Sequence, residues 1–184
     1  MKTGFCYLTA FLSVFIITST VTAQLKKIEA VKKESSITYK LTHPLHEIEA
    51  TSKESICRLD VDLNSKQIKS ALVVVDVMTF NSGNSNRDSH AMEVIDAISY
   101  PDAKFISSNI VQKGDSVKAY GKLTFHGVLK DVTLSAAVKW EGNKLLIDGW
   151  FNISLTEFKI ERPSLLLIPC NDILKFTFTQ TFNY

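Results

Sequence analysis

From Ser36 onward the chain alternates apolar and polar residues with a period of two, the pattern of strands that bury one face. Ile37, Tyr39 and Leu41 share one face of the first run, and Thr38, Lys40 and Thr42 share the other. His43-Pro44 ends that run. Glu47–Ser52 and Ile56–Leu63 read as two further short strands, followed by a turn at Asn64-Ser65-Lys66. Ala71–Phe80 is the most apolar strand, with Val73, Val75 and Val77 on one face and Leu72, Val74 and Met78 on the other, so both faces are expected to be at least partly covered. After a polar loop at Asn81–Asn86, Ala91–Ile98 reads as a helix. Asp88-Ser89 supply its N-cap, Met92, Ile95 and Ile98 its apolar stripe, and Pro101 its stop. Strands resume at Ala103–Val111, Ser116–Phe125, Val128–Trp140, Lys144–Leu155 and Ile173–Tyr184. The intervening Lys113-Gly114-Asp115, His126-Gly127 and Glu141-Gly142-Asn143 are hairpin-length, which predicts antiparallel neighbours.

About eight strands with one short helix predict an all-β fold, a closed antiparallel barrel whose inner and outer positions alternate. The alternation is cleanest late in the chain, where Val132, Leu134, Ala136, Val138 and Trp140 face one way, and Phe176, Phe178 and Phe182 interleave with threonines. Composition agrees: 184 residues, 45% hydrophobic and 22% charged, suit one globular domain rather than a disordered chain. A formal net charge of +2 leaves no basic surplus to neutralise a run of phosphates, which argues against nucleic-acid binding.

The start of the chain carries a different pattern. Lys2, an apolar run from Phe5 to Ile17, and small residues at Val21-Thr22-Ala23 read as a secretory signal peptide over residues 1–23. The alternative, an uncleaved anchor, is disfavoured because the apolar run is short of the roughly 20 residues a spanning helix needs. Residues 24–34 are a charged leader or a poor first strand, and 35–184 form the barrel domain. Cys57 and Cys170 could pair in an oxidising compartment if the fold brought their Cα atoms within about 7 Å; free buried thiols are the favoured reading.

Three ordered motifs carry a resemblance. Arg87-Asp88-Ser89-His90 precedes Tyr100-Pro101-Asp102-Ala103-Lys104-Phe105, and Gly121-Lys122-Leu123-Thr124-Phe125-His126-Gly127-Val128 continues through Lys130, Val132 and Leu134. Together they resemble the YceI-like family over roughly Ser36 to Tyr184. The resemblance implies a lipocalin-like barrel that holds a long isoprenoid or similar lipid, in a protein exported to the bacterial periplasm. The chain departs from the family's usual C-terminal Asn-Arg motif and Gly-rich strand at Leu155–Ser164, so it resembles a divergent branch and the ligand's identity stays open.

The residues alone leave a hollow and a filled barrel equally open, and the resemblance favours the hollow one. Val75, Phe80, Met92, Ile95, Phe105, Leu123, Phe125, Trp140, Phe151, Phe176 and Phe178 are the candidate cavity residues, their inward direction inferred from alternation. The expected ligand is a long-chain lipid of polyisoprenoid or isoprenoid-quinone type, with no separate cofactor. Transient membrane contact and a homodimer are both compatible with such a protein. The rival reading is a lipid-active enzyme using His90 with Asp88; a third is a filled, partner-binding barrel. No nucleophile elbow is present, and Arg87, Asp88 and His90 are read as structural: Asp88 caps the helix, Arg87 pairs with a carboxylate or loop carbonyls, and His90 donates a hydrogen bond. His43 and His46 have a ligand-like spacing but could meet only across a turn at Pro44, and no metal is expected. Ser164-Leu165-Leu166-Leu167-Ile168, bracketed by Pro163 and Pro169, reads as a loop at one barrel end, with a greasy lip for lipid as its functional alternative.

Overall fold

The computed structural model describes residues 25–184, so the expected signal segment and its cleavage point after Ala23 lie outside the described residues. Leu25–Glu29 is a strand, β1, where the composition had left strand and frayed leader open. There follow β2 (Ser36–His43), β3 (His46–Ser52), β4 (Ile56–Asp62), β5 (Gln67–Asp76), the helix α1 (Ser85–Val94), β6 (Asp102–Lys113), β7 (Ser116–Phe125), β8 (Val128–Glu141) and β9 (Lys144–Ser154). A two-stranded hairpin, β10 (Ser164–Leu165) with β11 (Ile168–Pro169), precedes the last strand, β12 (Ile173–Asn183). Ten strands form one antiparallel sheet in the order β1-β4-β5-β6-β7-β8-β9-β12-β2-β3.

The expected closed ladder of about eight strands is therefore corrected. The sheet is a curled half-barrel, and its edge strands β1 and β3 are not paired with each other. Its seam is held by isolated bridges, Ala30 to Phe182 and Thr51 to Asn81. Backbone groups along an interrupted ladder still need partners. Hydroxyls supply several: Ser35 Oγ accepts from the Thr181 N–H at 3.1 Å, Ser52 Oγ accepts from the Glu54 N–H at 3.2 Å, and Thr79 Oγ1 donates to the Asp76 carbonyl at 2.6 Å.

Two further boundaries differ from expectation. The apolar run read as a strand to Phe80 leaves the sheet at Asp76, whose carboxylate accepts from the Met78 N–H at 2.8 Å and opens a 3₁₀ turn at Val77–Thr79. The helix begins at Ser85 rather than Ala91, because Asn84, not Asp88 or Ser89, is its N-cap and accepts from the Arg87 N–H. It stops before Pro101. Asp96 takes a left-handed conformation and the Ala97 N–H reaches back to the Met92 carbonyl at 2.9 Å, a Schellman-type ending. Ile98 thus falls beyond the helix and is 93% exposed, outside the apolar stripe assigned to it.

The inner face of the sheet divides along the barrel axis. At one end Ile28, Val61, Val138, Leu145 and Phe182 interlock as a filled core, with Leu59 and Val117 at its boundary with the cavity. At the other, Leu41, Phe105, Leu123, Phe125, Ile153, Leu155, Phe158 and Ile160 surround a less filled space. Two glycines make room for rings on this face. Gly149 lies opposite Phe178 in the β9–β12 register, and a Cβ there would meet the Phe178 ring and come within 2.7 Å of the Ser135 carbonyl. Gly121 accommodates the Phe105 ring in the same way.

Gly149→Ala must displace the Phe178 ring or the β8 backbone. Overpacking of this kind costs about 1–3 kcal/mol, so the thermal midpoint is expected to fall by several degrees, at roughly 2–4 °C per kcal/mol for a chain of this size. An unchanged midpoint by circular dichroism would refute this close-packing account.

Candidate functional site

Above the filled core lies a partly open cavity of about 240 Å³. Its wall is built by alternation: the inward residues of β2 to β9 and β12 line it, and α1 contributes Ala91, Met92 and Val94, with Ile95 at its C-cap, across one end. None of the ten residues of α1 is buried, so the helix covers the cavity without packing into a core of its own. An apolar cavity of about 150 Å³ already stays dry and takes up a benzene-sized guest. This one is larger and its wall is almost entirely carbon.

An aromatic row forms one side of it. Phe151 of β9 and Phe176 of β12 are direct cross-strand partners and their rings stack at 4.7 Å, almost parallel. Phe176 in turn faces Tyr39 of β2, at 6.4 Å edge to face, and Tyr39 reaches Phe80 at 5.3 Å. Stacked and edge-to-face contacts at these separations fix ring orientation as well as burying area. The row is therefore a stiff wall.

Ten of the eleven sequence candidates, Val75, Phe80, Met92, Ile95, Phe105, Leu123, Phe125, Phe151, Phe176 and Phe178, stand around this cavity. Trp140 does not, and its assignment is corrected. It shares the inward face of β8 with Leu134 and Ala136, but lies toward the filled end, where its ring packs edge to face on Tyr184 at 5.1 Å. Its buried indole N–H has no partner. Alternation also missed how far the wall extends, to Ile48, Leu59, Ile68, Ile110, Ile160 and Pro163.

Polar groups meet the cavity at two levels. Near the helix, Arg87, Asp88 and His90 join its lining. Asp88 is not a helix cap: its carboxylate accepts from the Ser82 N–H at 3.1 Å and the Ser82 hydroxyl at 2.5 Å. Arg87 donates to the Ser82 hydroxyl and carbonyl at 2.9 and 3.0 Å, so the two side chains pin the loop ahead of α1. His90 is exposed beside Glu93, with Nδ1 3.7 Å from its carboxylate. The oriented Asp–His pair that the enzyme reading requires is absent here, because Asp88 is spent on Ser82. The Tyr39 phenol is pushed above the usual tyrosine range, first by burial and then by the Asp88 charge, with Arg87 drawing it back. At the deeper level Gln180 lies between Phe178 and Phe182 on β12, its amide N–H reaching Ser36 and Ser55 at 3.4 Å while its carbonyl oxygen has no partner.

His43 and His46 do meet across the Pro44 turn, with rings 5.1 Å apart, but His43 is engaged by backbone groups. Among the described residues no cluster of three or more metal-ligating side chains occurs. Cys57 and Cys170 are both buried free thiols, in separate core clusters. Burial, aided by the Glu29 charge, pushes the Cys57 thiol up to about 12.

Residues 27–181 match the YceI-like domain. A UPF0312 protein of Pseudomonas putida is 31% identical over 111 residues, 54% of this chain and 58% of its own length, so the chain spans little more than half of that relative. Protein YceI of Salmonella agona is 23% identical over 82% of this chain and 83% of its own. Among solved structures, Burkholderia cenocepacia BcnA superposes with a TM-score of 0.75 at 23% identity, covering 83% of this chain and 98% of BcnA. A polyisoprenoid binding domain from Saccharophagus degradans superposes at 0.63 with 10% identity, over 87% and 99% of the two chains. At these identities the likeness to the solved structures is one of fold.

Asp88→Asn removes a charge that holds Tyr39 protonated, so the Tyr39 titration is expected to move down while staying above the usual range, where burial keeps it. Phenolate absorbance against a Tyr39→Phe reference isolates the group; no movement would uncouple the two side chains. Because the folded value lies above the unfolded one, the neutral phenol's stabilisation is fully present below about pH 10 and is lost as pH rises through the folded value.

Proposed function

The chain belongs to the YceI-like family, and from that premise we propose that it is an exported binding protein that shelters a long apolar chain, of polyisoprenoid or isoprenoid-quinone type, inside its half-barrel. One observation carries the reading: a carbon-lined cavity of about 240 Å³ lies between a packed core and a thin helical cover. Such a space has no use for a polar substrate, since a buried polar group without partners costs more than an apolar one gains. The stiff aromatic row of Tyr39, Phe151 and Phe176 offers flat surface to a chain with regularly spaced double bonds. The few polar groups, Tyr39 and the Arg87-Asp88 pair, stand near the helix, where a headgroup would emerge. The solved polyisoprenoid binding domain of the same fold supports the ligand class. Export rests on the leader read over residues 1–23, and the working form would be the chain from Gln24.

Each methylene buried contributes about 0.8 kcal/mol, equivalent to a roughly fourfold change in Kd. In a prenol or alkanol series the affinity is therefore expected to rise by about that factor per added carbon and to level off once the cavity is full. Native mass spectrometry of the purified chain followed by organic extraction is expected to show one stoichiometric long-chain lipid. Phe176→Arg, which places a charge in the aromatic row, is expected to reduce uptake at least tenfold. A protein that is empty as isolated and takes up no added prenol would overturn the reading.

A further inference from the structure

The hairpin β10–β11 ends in two leucines that the fold neither buries nor suits. Leu166 is 76% and Leu167 97% exposed, and the flanking Leu165 and Ile168 are exposed as well. Neither tip residue lines the cavity or joins a core cluster. Both have positive φ, +52° and +65°, so the two-residue loop has the backbone of a type I′ turn, which favours Asn and Gly. Three other hairpins of this protein, β6–β7, β7–β8 and β8–β9, also turn tightly, and each has a glycine at a positive-φ position. At β10–β11 the sequence opposes both the backbone and the solvent.

The tip is nonetheless held firmly. The buried His43 accepts the Leu45 N–H at Nδ1, 3.1 Å, and with that tautomer its Nε2–H donates to the Ile168 carbonyl at 2.9 Å. This ties the hairpin to the β2–β3 turn and sets Leu45, itself 60% exposed, beside it. At the base, the Cys170 N–H donates to the Pro163 carbonyl at 2.8 Å, and Pro163 lines the cavity. An exposed, strained, anchored apolar tip thus extends from a base that joins the cavity wall at Pro163.

We propose that this tip is a docking element for a lipid bilayer, entering the interfacial region so that the cavity opens next to the membrane that supplies or receives its ligand. This rests on the reading of the cavity as a site for a bilayer-soluble chain. Shape and size select the bilayer over a protein. The surface is a convex point of five apolar side chains, whereas a stable protein interface uses about 20–30 residues a side. Interfacial binding requires only that apolar groups reach about 5–10 Å into the headgroup boundary. Charges on the segments that carry the tip are of mixed sign: Lys40 and Glu47 pair on the β2–β3 hairpin, and Glu161 and Arg162 precede Pro163, so binding depends on apolar insertion and not on anionic lipid.

The test uses phosphatidylcholine vesicles. Leu167→Trp is expected to shift its emission to the blue on adding vesicles, with little dependence on salt. The double variant Leu166→Asn, Leu167→Gly is expected to lose vesicle cosedimentation and to take prenol from vesicles at least tenfold more slowly. It is also expected to keep its equilibrium affinity for prenol delivered from cyclodextrin and to melt higher, because the turn is relieved. Vesicle binding or transfer unchanged in the double variant would overturn the proposal. So would self-association, without vesicle binding, that the same substitutions abolish, since this would assign the tip to a second copy. Failure of the parent to bind prenol from cyclodextrin would instead refute the cavity reading, while vesicle cosedimentation still reports on the tip.

Discussion

The hollow at one end of the sheet depends on the other end being solid. Val61, Leu145 and Phe182 are completely removed from water where the segment after β1 meets β12 through an isolated bridge, Ala30 to Phe182, rather than a ladder. A lined void forfeits the contacts that its wall atoms would otherwise make, and the loss grows with its volume. A sheet hollow throughout, with an unpaired seam, would have to bear that loss along its whole length. Here apolar packing at the filled end holds the curl, and the register it imposes carries upward through β9 and β12 to the aromatic row. The cavity is shaped by strands whose positions are set below it.

That division explains which parts of the site were legible in the sequence. Period-two alternation identifies the inward face of a strand, and ten of eleven candidates lie around the cavity because they share that face. Alternation carries no information about depth. Trp140 and Ala136 have the same parity on β8, yet one packs at the filled end and the other lines the cavity. The same limit hid Ile160 and Pro163, which come from an irregular stretch with no period at all. Tyr39 was within reach, since it alternates with Ile37 and Leu41. Its place beside Phe176 follows from β2 pairing with β12, a contact between distant parts of the chain.

The helix shows a local conflict decided by a loop. Asp88 and Asn84 are both of a residue type that caps helices well. Asn84 takes the cap, and Asp88 is left to bind Ser82 with Arg87, which closes the loop over the cavity's end. The helix then stops at a left-handed Asp96, for which the later proline is no guide. Both choices shift the helix by about one and a half turns and expose Ile98. The resulting element is short, polar on average and free of buried residues, which suits a cover more than a structural brace.

Two places in the molecule break rules that the rest obeys. One is the unfilled end of the barrel, in a fold able to pack its other end to zero exposure. The other is the Leu166-Leu167 turn, in a chain that places glycine at a positive-φ position of three other tight hairpins. Local and global preferences normally agree in a natural sequence, and departures concentrate where function opposes stability. The two departures here are adjacent, joined through Pro163 and the His43 clamp. Under the proposed function the two solve one physical problem: an apolar chain does not cross water freely, and a container that meets the lipid phase places its opening close to the point of contact.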